Sequence, residues 1–138
     1  MKKYASLAIL FVILAGIFLS SCKDFKDIFV DVSRSKSAQT RFVSDSTSII
    51  MDVESEDLEW IKKTFQGKIL YQEGGIPSCG FDDSVAIIID RENTFCIAQD
   101  TCATIYWKEK DRYFDLSERE MEKLHAILEA YGFHFPCI

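Results

Sequence analysis

The sequence predicts an α+β fold: a helix, an antiparallel meander of about five strands, and a C-terminal helix packed on one face of the sheet. Three observations predict it. Apolar residues recur at helical spacing in two stretches, around Leu58–Phe65 and Met121–Tyr131. Between them lie several β-branched and aromatic runs. The later runs follow one another at short spacing, and their alternation agrees with a single antiparallel meander.

The first helix opens at Ser55, with Glu56 and Asp57 placed against its positive end. Leu58, Ile61 and Phe65 form its apolar stripe, and Gly67 suits a left-handed cap. Lys68–Gln72 reads as a short strand. The glycine- and proline-bearing stretch EGGIPSCGFDD, residues 73 to 83, reads as a loop. Ser84–Asp90 is apolar on both faces and is therefore predicted to be central. Thr94–Ala98, Ala103–Lys108 and Arg112–Leu116 follow as strands. With Phe95 opposite Ala103 and Lys108 opposite Tyr113, strand alternation puts Phe95, Ile97, Ala103, Ile105, Trp107, Phe114 and Leu116 on one face. Ser117 and Glu120 make a capping box for the last helix, whose stripe is Met121, Leu124, Ile127, Leu128 and Tyr131; Gly132 ends it.

The N-terminal segment obeys different rules. Lys2 and Lys3 precede an apolar run from Ala5 to Leu19, and two serines then lead to Cys22. Charge, greasy segment and small-residue site are the parts of a secretory signal. The tetrad Leu19-Ser20-Ser21-Cys22 resembles the lipobox of bacterial lipoproteins. That resemblance implies removal of residues 1–21 and attachment of lipid, palmitate among its acyl chains, to the Cys22 thiol. It further implies a chain held at a bacterial membrane and facing the periplasm or the cell exterior. An uncleaved membrane anchor is the plainer reading of the same residues, and it also keeps the lysines inside and sends the remainder outward.

Residues 22–53 read as a lipid-anchored flexible tether, because residues 31 to 48 are rich in serine, threonine and charge and poor in large apolar side chains. Two short patches in it, Asp27–Val32 and Ser48–Val53, are candidate edge strands; the spacer reading is preferred for the first. Residues 54–138 form the small cysteine-containing domain. Losing residues 1–21 removes two lysines and no acid, so the net charge moves from −6 to −8. An acidic chain without a basic stripe argues against nucleic acid as a partner.

Cys79, Cys96, Cys102 and Cys137 are an even set in a small exported domain, which points to disulfides. Sequence permits three pairings. The register with Phe95 opposite Ala103 sets Cys96 opposite Cys102, leaving Cys79 for Cys137. A zinc site built from the four thiols is the rival, although Cys96-x5-Cys102 is wider than the usual knuckle. Cys79 served by His125 or His134 is the candidate catalytic arrangement. No family signature accompanies it, and no C-x-x-C is present for redox exchange. No metal ligands and no cofactor are assigned. Asp82, Asp83, Asp90 and Asp100 lack calcium-loop spacing. Tyr106 and Tyr113 fall on the face away from the predicted core and form the candidate interaction surface.

The function expected is that of a non-catalytic extracytoplasmic lipoprotein, whose domain binds another protein or component of the envelope. A thiol- or metal-dependent enzyme using the four domain cysteines is the alternative.

Overall fold

The computed structural model describes residues 28–72, 81, 84–99 and 102–135. Along the chain run β1 (Ala38–Ser44), β2 (Thr47–Asp52), α1 (Ser55–Phe65), β3 (Val85–Ile89), β4 (Asn93–Ile97), β5 (Thr104–Trp107), a 3-10 turn over Lys108–Lys110, β6 (Arg112–Asp115) and α2 (Glu118–Ala130). The strands form one sheet in the order β2-β1-β3-β4-β5-β6, and each neighbouring pair is antiparallel. The α+β fold with a C-terminal helix is therefore observed, with β3 inside the sheet between β1 and β4.

Alternation decides which side of the sheet the helices cover. Ala38, Phe42, Val85, Ile87, Ile89, Phe95, Ile97, Ile105, Trp107 and Phe114 share one face and enter a common core with Leu58, Ile61 and Phe65 of α1 and Met121, Leu124 and Leu128 of α2. Phe65 is the wedge between helix and sheet, with its ring centroid 5.3 Å from that of Phe95 and 5.1 Å from that of Phe114. Edge-on aromatic contacts of this kind add about 0.5–1.5 kcal/mol each beyond the burial of their area.

Both helices end as their sequences direct. Gly67 and Gly132 take positive φ angles of 75° and 93°, which cost glycine little. The capping box is formed: the Glu120 N–H donates to Ser117 Oγ at 3.3 Å, and Glu120 Oε2 accepts from the Ser117 N–H at 2.7 Å. Tyr131, where α2 ends, reaches back to the start of α1. Its hydroxyl accepts from the Glu54 N–H at 2.8 Å and donates to Asp57 Oδ2 at 2.9 Å, tying the two helices together.

The structure differs from the sequence reading over Lys68–Gln72, expected as a strand, where Ile69 and Tyr71 form only isolated bridges, and at two further points. The first is the tether expected over residues 22–53. From residue 28 onward the chain belongs to the domain. Val30 and Val32 are buried in the core, and β1 sits between β2 and β3. Composition misled here because β1 is held by its neighbours more than by its own side chains. Even Thr40 is fully buried, and its hydroxyl donates to the Met51 carbonyl at 3.4 Å. The Ser48–Val53 patch supplies most of the edge strand β2, whereas the described residues of Asp27–Val32 pair as strand only through an isolated bridge from Phe29 to Ile69.

The second is the register of the meander. Phe95 stands opposite Trp107, not Ala103, and Cys96 stands opposite Tyr106, not Cys102. Likewise Tyr113 pairs with Tyr106 rather than with Lys108. The facing of every residue was nevertheless as expected, because the alternation of a strand survives a shift by an even number of residues. Packing picks among the even shifts. The observed one lays Phe95 on Trp107, with ring centroids 5.0 Å apart, and sets Ile97 against Ile105.

Candidate interaction surface

On the side of the sheet away from the helices, the pairings place one residue per strand in a transverse row. Ile50 stands opposite Arg41, Arg41 opposite Ala86, Ala86 opposite Cys96, Cys96 opposite Tyr106, and Tyr106 opposite Tyr113. Tyr113 then bridges Tyr71 through reciprocal backbone hydrogen bonds, both 2.9 Å long. The row changes character along its length. Its middle is small and buried at Ala86 and Cys96, and its far end is three half-buried tyrosines in succession.

Those tyrosines make a continuous aromatic panel. Ring centroids are 4.9 Å apart for Tyr106 and Tyr113 and 6.1 Å apart for Tyr113 and Tyr71. Phe81 lies against both members of the first pair, 6.2 Å from Tyr106 and 5.7 Å from Tyr113. Cross-strand aromatic neighbours at such distances contact and stiffen one another.

Two carboxylates fix the hydroxyl ends. Asp115 Oδ1 accepts from the Tyr71 hydroxyl at 2.7 Å and from the Thr104 hydroxyl at 2.8 Å. Asp111 sits in the left-handed region at φ 50°, where the 3-10 turn ends, and its Oδ1 accepts from the Tyr106 hydroxyl at 3.1 Å. Burial pushes the Tyr106 phenol above its ordinary value of 10.0, and the hydrogen bond and negative charge of Asp111 push the same way. Tyr106 is therefore a neutral hydrogen-bond donor across the physiological range.

Beyond Tyr71 the surface opens into a hollow of about 400 Å³ lined by Gly67, Lys68, Ile69, Tyr71 and Asp115. Its rim is apolar. Ile69 is 64% exposed, and Ile28 and Phe29 beside it are exposed as well. Lys68 reaches the other way, pairing with Glu120 Oε2 at 2.7 Å. The panel and hollow together present aromatic area, apolar rim and oriented hydroxyl and carboxylate groups. That arrangement suits contact with a protein or a ring-bearing ligand more than it suits bond making or breaking.

The two candidate residues read from sequence, Tyr106 and Tyr113, thus occupy the predicted face and touch each other. Tyr71 and Phe81 were missed. Tyr71 joins through a bridge spanning 42 positions, between residues 71 and 113, and no local pattern encodes such a contact.

The other sequence candidates are placed as follows. Cys96 is fully buried in the row and Cys102 is half-buried. The cross-strand argument for joining them falls with the register. Cys22, Cys79 and Cys137 lie outside the described residues. His125 is buried on α2 with its ring stacked on Phe135 at 3.9 Å, whereas His134 is exposed at the end of the described chain. Trp107 belongs to the core, and Trp60 packs against it from α1 under the Lys123 ammonium, 5.0 Å from its ring centroid. Among the described residues, no three acids, histidines or cysteines gather as metal ligands would, and no helix is long and apolar enough to cross a membrane.

Comparison with known proteins returns nothing to set beside this surface: no family model, no curated protein and no solved structure matches the chain.

Proposed function

We propose that this protein is a lipid-anchored extracytoplasmic module that binds a protein or another component of a bacterial envelope through its tyrosine panel. The observation that carries the reading is the succession Tyr106–Tyr113–Tyr71 on the face that neither helix covers, ending at an open hollow with an apolar rim. Aromatic side chains that combine a large apolar body with a polar tip are enriched where proteins meet partners. Here the hydroxyls of Tyr71 and Tyr106 are already oriented by Asp115 and Asp111, so little side-chain freedom remains to be lost on binding. The lipobox resemblance at Cys22 supports the anchored location, and stable attachment requires more than one acyl chain.

The location and the binding surface are tested separately. Radiolabelled palmitate enters the wild-type protein and is absent from Cys22→Ser, which keeps residues 1–21 uncleaved. Retention of label by Cys22→Ser, or none in the wild type, overturns the anchor. For the surface, the full-length protein retains its envelope partner in a pull-down. The double variant Tyr106→Ala, Tyr113→Ala loses that partner while circular dichroism shows the fold intact. A partner that survives the double change contradicts the assignment of the panel.

A further inference from the structure

The two edges of the sheet are finished differently. At the β6 edge, Tyr71 takes up backbone groups of Tyr113 in both directions. At the β2 edge, no described segment pairs with the outer side, and all six residues of Thr47–Asp52 are exposed. Sheet edges left open are normally protected by lysine, proline, a bulge or an inward charge. The sequence TSIIMD has no lysine, proline or glycine, and its one charge is at the end. Ile49, Ile50 and Met51 are 49%, 53% and 42% exposed, an apolar strip on a strand ready to pair.

The hydrogen-bond phase of the β1–β2 hairpin shows which backbone groups face outward. The Val53 N–H donates to the Ala38 carbonyl at 2.9 Å, so Ala38 and Val53 form a hydrogen-bonded pair. Antiparallel pairs alternate. In the observed register Thr40–Met51, Phe42–Ile49 and Ser44–Thr47 then also bond inward to β1. The N–H and C=O groups of Ser48, Ile50 and Asp52 are left pointing away from the sheet.

We infer that these outward groups pair with β2 of a second copy of this chain, antiparallel about a two-fold axis through Ile50. In that register Ile50 meets Ile50 of the second copy, and each Ser48 meets the other copy's Asp52. All three are hydrogen-bonded pairs, so every outward backbone group is satisfied. On the core face each Ile49 meets Met51 of the second copy. Apolar side chains meet apolar ones along the strand, and the serine hydroxyl meets the carboxylate. The two Asp52 charges stand at opposite ends of the paired strands. Neighbouring registers forfeit this. Centring on Met51 sets Ile50 against Asp52, and centring on Asp52 puts two carboxylates face to face. The groove of about 310 Å³ beside Ile49, lined by Phe42, Val43, Tyr131, Gly132, Phe133 and His134, gains Met51 of the second copy at its rim. The product is one continuous sheet through two protomers, joined by an isologous contact.

Charge-swap variants at the exposed Ile50 test the partner and the register together. Full-length protein in density-matched detergent is measured by sedimentation. The wild type sediments with twice the protein mass of one chain. Ile50→Lys alone and Ile50→Glu alone each sediment as one chain, because like charges then meet at the axis. An equimolar mixture of the two regains the doubled mass. A wild type that sediments as one chain overturns the inference, including one that carries an extended peptide of another protein on this edge. So does either single variant that keeps the doubled mass, or a mixture that fails to regain it. Circular dichroism of both variants excludes unfolding as the cause of dissociation.

Discussion

Tyr106 and Tyr113 face each other across β5 and β6 with ring centroids 4.9 Å apart, and Tyr113 is held from its other side by Tyr71 at 6.1 Å. Tyr113 is thus the middle ring of three, and its removal uncouples the other two. Tyr113→Ala is expected to cost about 1–3 kcal/mol of stability through the ring pairs lost with Tyr106, Tyr71 and Phe81. Tyr113→Phe keeps the ring pairs and is expected to cost less than Tyr113→Ala. Chemical denaturation of the three proteins measures the difference. Equal losses in both variants would assign the effect to the hydroxyl and not to the stack.

The hairpin joining β1 to β2 turns on Asp45 and Ser46, both at positive φ, 47° and 69°. Two-residue hairpin loops need that backbone shape, and glycine adopts it without the steric cost a serine bears. Ser46→Gly is expected to stabilise the protein by about 0.5 kcal/mol, since relief of strain exceeds the added freedom of the unfolded chain. Ser46→Val, β-branched in the same conformation, is expected to destabilise it by about 1–2 kcal/mol. Paired thermal melts read the sign directly.

Asp90 fastens the entry of β1 to the β3–β4 turn. Its Oδ1 accepts from the Lys36 N–H at 2.9 Å and from the Ser37 N–H at 3.0 Å. The Lys36 hydrogen bond is the main reason the carboxyl is held below its ordinary 3.8; desolvation opposes the shift, and the Ser37 backbone bond adds to it. A carboxyl whose folded value is depressed gives stability that is complete above the unfolded value and lost as pH falls through the folded one. Wild type is therefore expected to lose stability on acidification below about pH 4. Asp90→Ala is expected to be less stable at pH 7 by about 1–2 kcal/mol and to lose less between pH 4 and pH 2. Urea denaturation at the three pH values measures both effects; parallel pH profiles would contradict the role given to Asp90.

The parts of the fold legible in the sequence are those whose signals are local. The stripe Leu58–Ile61–Phe65 and the Ser117–Glu120 box each lie within one or two helical turns, and both helices form where those signals place them. Strand alternation fixed the facing of Phe95, Ile105 and Phe114 without any knowledge of their partners. The absolute register lay beyond reach, because sliding by two or four residues leaves every facing unchanged and only packing separates the choices. β1 was hidden for a related reason. Ala38, Thr40 and Phe42 do alternate inward, but the serine- and threonine-rich composition around them outweighed so short a pattern. The turn at Asp45–Ser46 carries no glycine to announce it. Half of the candidate surface was accessible on the same terms. Tyr106 and Tyr113 follow from alternation, whereas Tyr71 and Phe81 reach them through contacts distant in sequence.

The tyrosine panel as contact surface is tested most directly by placing a photo-crosslinking phenylalanine derivative at position 106 and, as a control, at Glu129, exposed on α2 across the sheet from the panel. With both full-length proteins in their native envelope, irradiation is expected to trap one discrete partner from position 106 and none from position 129. Trapping from position 129 alone, or equally from both, would contradict a binding face built on Tyr106, Tyr113 and Tyr71.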